Sequence, residues 1–267
     1  MQFIIDSHIH TDYSPDCKAK MEDIVIQAVE LGLKKIIFTD HVDYDSPDEL
    51  FGGEIDYNEY MKEIKYLRDK YKEIEILMGV EIGYQPHLNN KLDKFIKSYP
   101  FDFVICSMHS CDGLDLYNGD FFKGKTQRQS YMNYFESIKR CIENYDNYDV
   151  YGHLDYIVRY GNFDNKELKY EDFKKIIDEI LGLIIEKGKG IEVNTAGFRY
   201  NLKTTHPNID ILRRYIEMGG KVITLGSDAH RPNELCSDFE KTIKILKGIG
   251  VNKIAQFKNR VPSFIEI

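Results

Sequence analysis

Histidine is scarce in this sequence, yet most of its histidines come at comparable places along the chain. The 267 residues contain 8 histidines, and six of them follow, or end, a short apolar run. His8 and His10 form the motif HIH, whose alternate spacing in extended backbone puts both imidazoles on one face, where they can converge on one metal ion. A lone histidine is more often a hydrogen-bonded structural residue, but six at equivalent positions favour a metal site. The six are His8, His10, His41, His109, His153 and His230.

Three carboxylates occupy the same kind of position. Glu81 ends the apolar run of LMGVEIGY and Asp228 lies in TLGSDAH, where a buried carboxylate without a compensating cation is strongly destabilising. Asp16 follows HIH, and for this residue a surface salt bridge or a helix cap explains the carboxylate about equally well. Imidazole and carboxylate together suit Zn, Mn or Fe, and these candidates outnumber the roughly four ligands of one tetrahedral ion. The pattern predicts two or three divalent metal ions in a cationic pocket that attracts a phosphate dianion.

Repeated strand and helix units are the scaffold that these residues require. Short runs rich in Ile, Val and Phe alternate with longer amphipathic stretches, which predicts a largely parallel sheet or barrel. In a parallel barrel the strand ends converge on one mouth, so residues distant in sequence meet there. The predicted strands are Phe3–Ile5, Lys35–Phe38, Glu75–Met78, Phe103–Ile105, Val150–Tyr151, Ile191–Val193 and Val222–Leu225, with an eighth candidate at Lys253–Phe257.

Apolar residues at three- and four-residue spacing predict six helices between the strands. Glycines just past four of the stretches suit left-handed helix ends, and they are Gly32, Gly188, Gly219 and Gly248. The predicted helices are Met21–Leu31, Tyr57–Tyr71, Thr126–Asn144, Glu171–Lys187, Asn208–Met218 and Asp238–Lys247.

Composition and charge limit the classes of protein to which this chain can belong. Hydrophobic residues make up 42% and charged residues 30%, as in ordinary globular chains. The 44 acidic against 36 basic residues give a net charge of -8, which argues against a nucleic-acid partner held by its phosphates. No secretory signal or membrane span is apparent, and the five cysteines lack CxxC pairing, so we expect reduced thiols in a cytoplasmic protein. Because no linker sequence divides the chain, residues 1–267 are expected to form one domain. The sequence does not indicate the oligomeric state.

Six blocks of the sequence resemble the polymerase and histidinol phosphatase (PHP) superfamily. They extend over most of the chain in the order typical of that family. The resemblance implies an α/β fold, a distorted (β/α)7 barrel in a single domain, with a trinuclear metal site. The blocks are DSHIHTDYSPD, ELGLKKIIFTDH, the Glu of MGVEIGY, ICSMHS, YGHLD and GSDAH.

Within the superfamily, the sequence looks most like the stand-alone histidinol-phosphate phosphatases of histidine biosynthesis. The chain length, YGHLDYIVRYG with Arg159 and EVNTAGFRY with Arg199 suggest that branch. The resemblance implies that a metal-bridging hydroxide hydrolyses L-histidinol phosphate, a small phosphate ester, to L-histidinol and phosphate. The planar forks of both arginines would bind phosphate oxygens, and Asp228 is a candidate proton shuttle for the leaving alcohol. Two alternatives remain: hydrolysis of nucleotides or other phosphate esters, and a metal-binding module without catalysis.

The resemblance also implies a distribution of ligands over three ions. Many members of the family have His where this chain has Asp16, which leaves the identity and affinity of the second metal open. The implied sets are His8, His10, Glu81 and Asp228 for one metal, Asp16, His41 and His230 for a second, and Glu81, His109 and His153 for a third.

GDFFKGKT, residues 119–126, fits the GxxxxGK[ST] pattern of a phosphate-binding loop. The polar segment SCDGLDLYN precedes it, and Phe121 and Phe122 occupy positions where small residues would let amides face phosphate. We therefore interpret the segment as a loop over the mouth, with Tyr117 as a substrate contact. His87 and His206 match no metal position in the pattern.

Overall fold

Parallel strands form the centre of the fold. The computed structural model describes residues 5–52 and 55–267. Numbered in chain order, its strands are β1 (Ile5–Asp6), β2 (Lys35–Phe38), β3 (His41–Val42), β4 (Glu75–Gly83), β5 (Phe103–Ser107), β6 (Ser110–Cys111), β7 (Leu114–Asp115), β8 (Val150–Tyr151), β9 (Gly190–Asn194), β10 (Ile223–Gly226), β11 (Lys253–Lys258) and β12 (Val261–Glu266). The strands β1, β2, β4, β5, β8, β9 and β10 lie side by side in that order, each pair parallel. These are the seven predicted strands.

The sheet closes where its first and last strands meet. We call this contact, residues 7–10 beside residues 225–229, the barrel seam. The Ser7 N–H donates to the Leu225 carbonyl at 3.1 Å, and the His10 N–H donates to the Ala229 carbonyl at 2.9 Å. Closure removes exposed sheet edges and sets the segments that follow β1 and β10 against each other. The predicted α/β barrel is confirmed.

Amphipathic helices cover the outside of the sheet and bury their apolar faces against it. The six predicted helices are confirmed to within one residue at each end. The described residues also contain two helices that the sequence pattern did not predict, α3 and α6. The helices are α1 (Met21–Glu30), α2 (Tyr57–Lys70), α3 (Asn89–Ser98), α4 (Gln127–Asn144), α5 (Tyr170–Glu186), α6 (Ala196–Arg199), α7 (Ile209–Glu217) and α8 (Phe239–Gly248).

Three of the four glycines expected at helix ends have the left-handed backbone that this role requires. The φ angles are 74° at Gly32, 67° at Gly188 and 92° at Gly219. Gly248 was expected to end its helix in the same way, but it is the last residue of α8, and Gly250 has the positive φ of 92°. The expectation for Gly248 is therefore wrong by two residues.

Two strands, β4 and β11, differ from their prediction. β4 continues to Gly83, so Glu81 lies on the strand and does not follow it. It continues because Glu81 is paired on both sides, with His41 of β3 and Ile105 of β5. β11, the eighth candidate, pairs antiparallel with β12 in a hairpin outside the barrel sheet. Of the predicted strand Phe3–Ile5, residues 3 and 4 lie outside the described residues.

The segment 119–126 caps a helix and does not form a phosphate-binding loop. Phe121 and Phe122 are buried, and the Lys125 ammonium donates to the carbonyl of Phe121. Thr126 caps α4: its hydroxyl accepts the Gln129 N–H, and the Gln129 side chain accepts the Thr126 N–H. In the described parts of the chain, no helix is long and apolar enough to cross a membrane.

Candidate metal centre

The carboxyl ends of the barrel strands bring the nine predicted ligands to one mouth. They come from six strand ends. His8 and His10 follow β1, His41 begins β3, and Glu81 lies on β4. Asp16 is in the loop after the HIH motif and stands at the exposed rim. The other four follow β5, β8 and β10: His109, His153, Asp228 and His230.

Glu81 is at the centre of this group and faces five imidazoles. Its side chain is buried, with no exposed surface. The distances from its Oε2 are 3.3 Å to His8 Nε2, 3.7 Å to His10 Nε2 and 3.1 Å to His41 Nδ1. Those from its Oε1 are 2.8 Å to His153 Nε2 and 3.4 Å to His109 Nε2. The Ser107 hydroxyl also donates to Oε1, at 2.6 Å. A carboxylate surrounded in this way can bridge two ions.

Asp228 and Asp16 extend the group along the barrel seam. Asp228 Oδ1 lies 3.3 Å from His10 Nε2 and 3.6 Å from His230 Nδ1. Asp16 Oδ2 lies 3.0 Å from His230 Nε2 and 3.8 Å from His41 Nε2. The N–H at Nδ1 of His230 donates to the backbone carbonyl of Asp228 at 3.0 Å, so in the neutral ring the lone pair for a metal ion is at Nε2.

Among the residues that the structure describes, four sets of three ligand atoms lie close enough to hold an ion, with all atoms of a set within 4.8 Å of one another. One set, His8 with His10 and Asp228, falls within a ligand group implied by the family resemblance, and the other three combine residues from different groups. His10 joins His41 and His230, whereas the resemblance places Asp16 with these two. The sets are His8, His10 and Asp228; His8, Glu81 and His153; His41, Glu81 and His109; and His10, His41 and His230.

The centre contains buried polar atoms that a cation would satisfy. Glu81 Oε2 and His41 Nδ1 have no hydrogen-bond partner among the described residues, although they lie 3.1 Å apart. A buried polar atom without a partner costs about 1–3 kcal/mol. Because carboxylate and imidazole atoms converge there, the residues present fit divalent ions of the Zn, Mn or Fe type.

Electrostatics inside the centre favour ionised carboxylates. Burial by itself raises the pKa of Glu81, but His8, His109 and His41 lower it to well below its usual value. Burial, together with the neighbouring His41 and His230, lowers the pKa of His10 to about 3. An imidazole of this kind is neutral at pH 7, which is the form that binds a metal.

Two carboxylates that the sequence pattern missed contact imidazoles of the centre. Asp43 Oδ1 lies 2.8 Å from His109 Nδ1, and its Oδ2 lies 3.3 Å from His41 Nδ1. Glu192 Oε1 lies 2.5 Å from His8 Nδ1, and its Oε2 accepts the His153 N–H at 3.0 Å. The sequence did contain a signal for Glu192, because this residue is a lone carboxylate on an apolar strand, as Glu81 is.

Glycines make room for both of these carboxylates. A Cβ added to Gly83 would stand 1.8 Å from Asp43 Oδ1, and one added to Gly226 would stand 2.5 Å from Glu192 Oε1. Real Cβ atoms do not approach other atoms so closely. The carboxylates therefore occupy slots that only glycine leaves open.

A cavity of about 930 Å³ opens above the centre and is lined by the predicted substrate contacts. Arg159 Nη2 lies 3.1 Å from Asp228 Oδ2. Arg199 donates from Nη1 and Nη2 to the backbone carbonyls of Ser227 and Asp228, at 2.8 and 2.7 Å. Tyr117 is 73% exposed and its ring packs against Tyr160 at the rim.

The two histidines that matched no metal position lie apart from the nine ligands. His87 is an exposed residue, and its Nε2 lies 2.9 Å from Asp45 Oδ2. His206 is fully buried and contacts Arg159.

Comparison with known proteins identifies relatives over nearly the whole length of the chain. The model of the PHP domain family matches residues 6–196. The histidinol-phosphatase of Lactococcus lactis is 33% identical over 255 residues, which are 95% of this chain and 94% of that protein.

Solved structures extend the comparison to the fold. The crystal structure of histidinol phosphate phosphatase from Lactococcus lactis, complexed with Zn, L-histidinol and phosphate, has a TM-score of 0.92 and 31% identity. The match covers 98% of this chain and 100% of that chain. A structure from Listeria monocytogenes, with a TM-score of 0.78 and 20% identity over 89% of this chain and 99% of its own, shares the fold.

Proposed function

Because this chain belongs to the PHP domain family, we propose that it is a metal-dependent phosphomonoesterase that hydrolyses L-histidinol phosphate to L-histidinol and phosphate. One observation carries the proposal. Nine ligand-type side chains and two arginines meet at the mouth of a barrel, and a solved enzyme that holds Zn, L-histidinol and phosphate shares this fold at 31% identity. On this proposal residues 1–267 make one phosphatase domain.

Two or three divalent ions, of Zn, Mn or Fe, are the proposed cofactors. Such ions lower the pKa of a bound water to near neutrality and polarise the phosphoryl group. Glu81 lies between the imidazoles of all three proposed groups and is the proposed bridge. The proposed groups are His8, His10, Glu81 and Asp228; Asp16, His41 and His230; and Glu81, His109 and His153.

The arginines supply the remaining charge for the phosphate. Both line the cavity beside Asp228, and a guanidinium fork matches the geometry of phosphate oxygens. Positive charge fixed at this position also stabilises the charge that develops as the phosphoryl group transfers. Tyr117 is the proposed contact at the open end of the substrate.

Asp228 is the proposed proton shuttle for the leaving alcohol. Burial raises its pKa, but His8, His10 and Arg159 outweigh burial and hold the pKa well below its usual value. Asp228 is therefore a carboxylate at pH 7, and as a shuttle it would take the proton of the attacking water and pass it to the oxygen of the leaving alcohol.

Phosphate release by the purified protein tests the proposal. We expect metal-dependent release from L-histidinol phosphate with a kcat/KM at least tenfold above that for nucleoside monophosphates, and little release from oligonucleotides. If the protein prefers a nucleoside monophosphate, the proposed substrate is wrong and the proposed metal-dependent hydrolysis still holds. A protein that contains its metals and hydrolyses none of the three would be a metal-binding module, and the proposal would be wrong.

A further inference from the structure

His206, which matches no metal position, lies in a chain of buried contacts that ends at Arg159. Its imidazole has no exposed surface. Nδ1 lies 2.5 Å from Asp155 Oδ1, and Nε2 lies 3.0 Å from the Nε of Arg159. Its backbone is fixed as well, because His206 and Asn194 of β9 exchange two hydrogen bonds of 2.7 and 2.9 Å. None of these atoms is a ligand in the metal centre.

The donors and acceptors of this chain allow one arrangement of protons. The Nε of arginine is always protonated and can only donate, so Nε2 of His206 must accept. A neutral imidazole that accepts at Nε2 carries its proton at Nδ1, where the Asp155 carboxylate accepts it. Burial lowers the pKa of His206 despite the adjacent Asp155, which agrees with a neutral ring.

Asp155 is itself held in place by its second oxygen. The Asn208 N–H, at the start of α7, donates to Asp155 Oδ2 at 2.9 Å. Both carboxylate oxygens therefore accept, one from the imidazole and one from the backbone. An amide at this position has only one accepting oxygen, so Asp155→Asn must set a donor against a donor at His206, at Asn208 or, if the imidazole takes its other tautomer, at Arg159.

The guanidinium of Arg159 is oriented from several sides. Its central carbon lies 4.7 Å from the ring centroid of Tyr156 and 4.4 Å from that of Tyr200, which are cation–π distances. His206 fixes the Nε edge, and Nη2 faces Asp228. With Nε engaged on the side away from the cavity, the terminal nitrogens are the ones that a phosphate can meet.

We propose that Asp155 and His206 are positioning residues for Arg159: Asp155 sets the tautomer of His206, and His206 holds the Nε edge of the guanidinium so that its terminal nitrogens are presented to phosphate. The inference rests on the proposed role of Arg159 in binding the substrate phosphate. Substrate then binds to an arginine that is already oriented, and little rotamer entropy is lost on binding.

Binding of inorganic phosphate to the metal-loaded protein, measured by calorimetry, tests the inference without relying on turnover. We expect Asp155→Asn to weaken phosphate binding about tenfold, the effect of losing one hydrogen bond to a charged group. His206→Leu removes the acceptor and has at least the same effect. His206→Gln keeps an acceptor for Arg159 and stays within about threefold of the wild type. His87→Gln, an exposed histidine, serves as the control and leaves the affinity unchanged.

A double-mutant cycle separates positioning from general damage. Lysine has no Nε–H donor and no planar fork, so Arg159→Lys removes the group on which His206 acts. Asp155→Asn is then expected to cause no further loss of phosphate affinity in the Arg159→Lys background. Metal content and the melting temperature are measured for every variant, so that the loss of a folded centre is recognised.

Three outcomes would overturn the inference. They are an equal loss in His206→Gln and His206→Leu, an effect of Asp155→Asn that is the same in both backgrounds, and unchanged phosphate affinity in Arg159→Lys. Failure of the proposed function looks different: the wild-type protein would bind phosphate and release none from L-histidinol phosphate, while the cycle would still report on positioning.

Discussion

At the scale of single residues, the proposed metal centre depends on carboxylates outside the nine predicted ligands. Glu192 and Asp43 bind the outer nitrogens of His8 and His109, and such contacts orient a ligating imidazole and raise its basicity. The sequence pattern identified the residues that converge on the mouth but not these partners. These partners are recognised by tertiary contacts between residues distant in sequence, such as His8 and Glu192. Spacing along the chain does not predict such contacts.

Replacing Glu192 by Gln is expected to weaken metal binding without unfolding the barrel. The amide keeps the volume of the side chain and removes the charge that holds Nδ1–H of His8, so metal affinity falls by roughly 10- to 100-fold. Competition with a coloured chelator measures the affinity. Glu240→Gln, at an exposed position on α8, is the matched control and retains the wild-type value. Equal affinities in both variants would refute the role of Glu192.

At the scale of elements, two glycines allow strand and helix geometry to be tested separately. A Cβ at position 83 meets Asp43 Oδ1 at 1.8 Å, whereas a Cβ at position 248 meets nothing within 4 Å. We expect Gly83→Ala to displace Asp43 and to lower metal content together with activity. Gly248→Ala, at the last position of α8, is expected to leave both unchanged and to stabilise the fold by up to about 1 kcal/mol. Metal analysis and thermal denaturation measure the two effects.

An ion pair links α5 to α7 and gives stability a dependence on pH. Arg214 donates from Nε and Nη2 to both oxygens of Asp178, at 2.9 Å each. Burial raises the pKa of Asp178, but Arg214 and Tyr170 lower it below its usual value. Since the folded pKa is below the unfolded one, the stabilisation is present above about pH 4 and is lost as the pH falls through the folded pKa.

Asp178→Asn is therefore expected to destabilise the protein by about 1 kcal/mol at pH 7, the upper end for a partly exposed pair. The difference from the wild type should narrow as the pH falls below about 4. Urea denaturation at a series of pH values measures it. Asp210→Asn changes an exposed pair within α7 and is expected to have a smaller effect at every pH. A difference for Asp178→Asn that stays constant with pH would contradict the assignment.

Elements differ in how well sequence predicts them. The seven barrel strands were predicted from short apolar runs, and six of the helices were predicted from apolar residues at three- and four-residue spacing. β3, β6 and β7 have two residues each and mix polar with apolar side chains, so they form no apolar run. α6 has four residues. β12 contains Pro262 and is largely exposed, so it lacks the apolar signal of a strand. Tertiary contacts, and not the local sequence pattern, determine the conformation of these short strands, of α6 and of β12.

At the scale of the whole molecule, the centre holds together segments from β1 to β10. Removal of metals leaves Glu81 and Asp228 buried without divalent cations, and it also removes the binding free energy that favours the folded state. We expect dialysis against a strong chelator to abolish phosphatase activity and lower the melting temperature. Both should return when Zn or Mn is added. A melting temperature that does not respond to chelation, in protein shown to have lost its metals, would mean that the barrel is stable without them.

The barrel seam has a consequence for how the protein is made. His8 and His10 leave the ribosome well before Asp228 and His230, which complete the same centre. No ion can acquire its full set of ligands while the polypeptide is still growing through β9. The full set of ligands is therefore available to an ion only after β10 has been made, and until then His8 and His10 can bind any ion that prefers imidazole ligands.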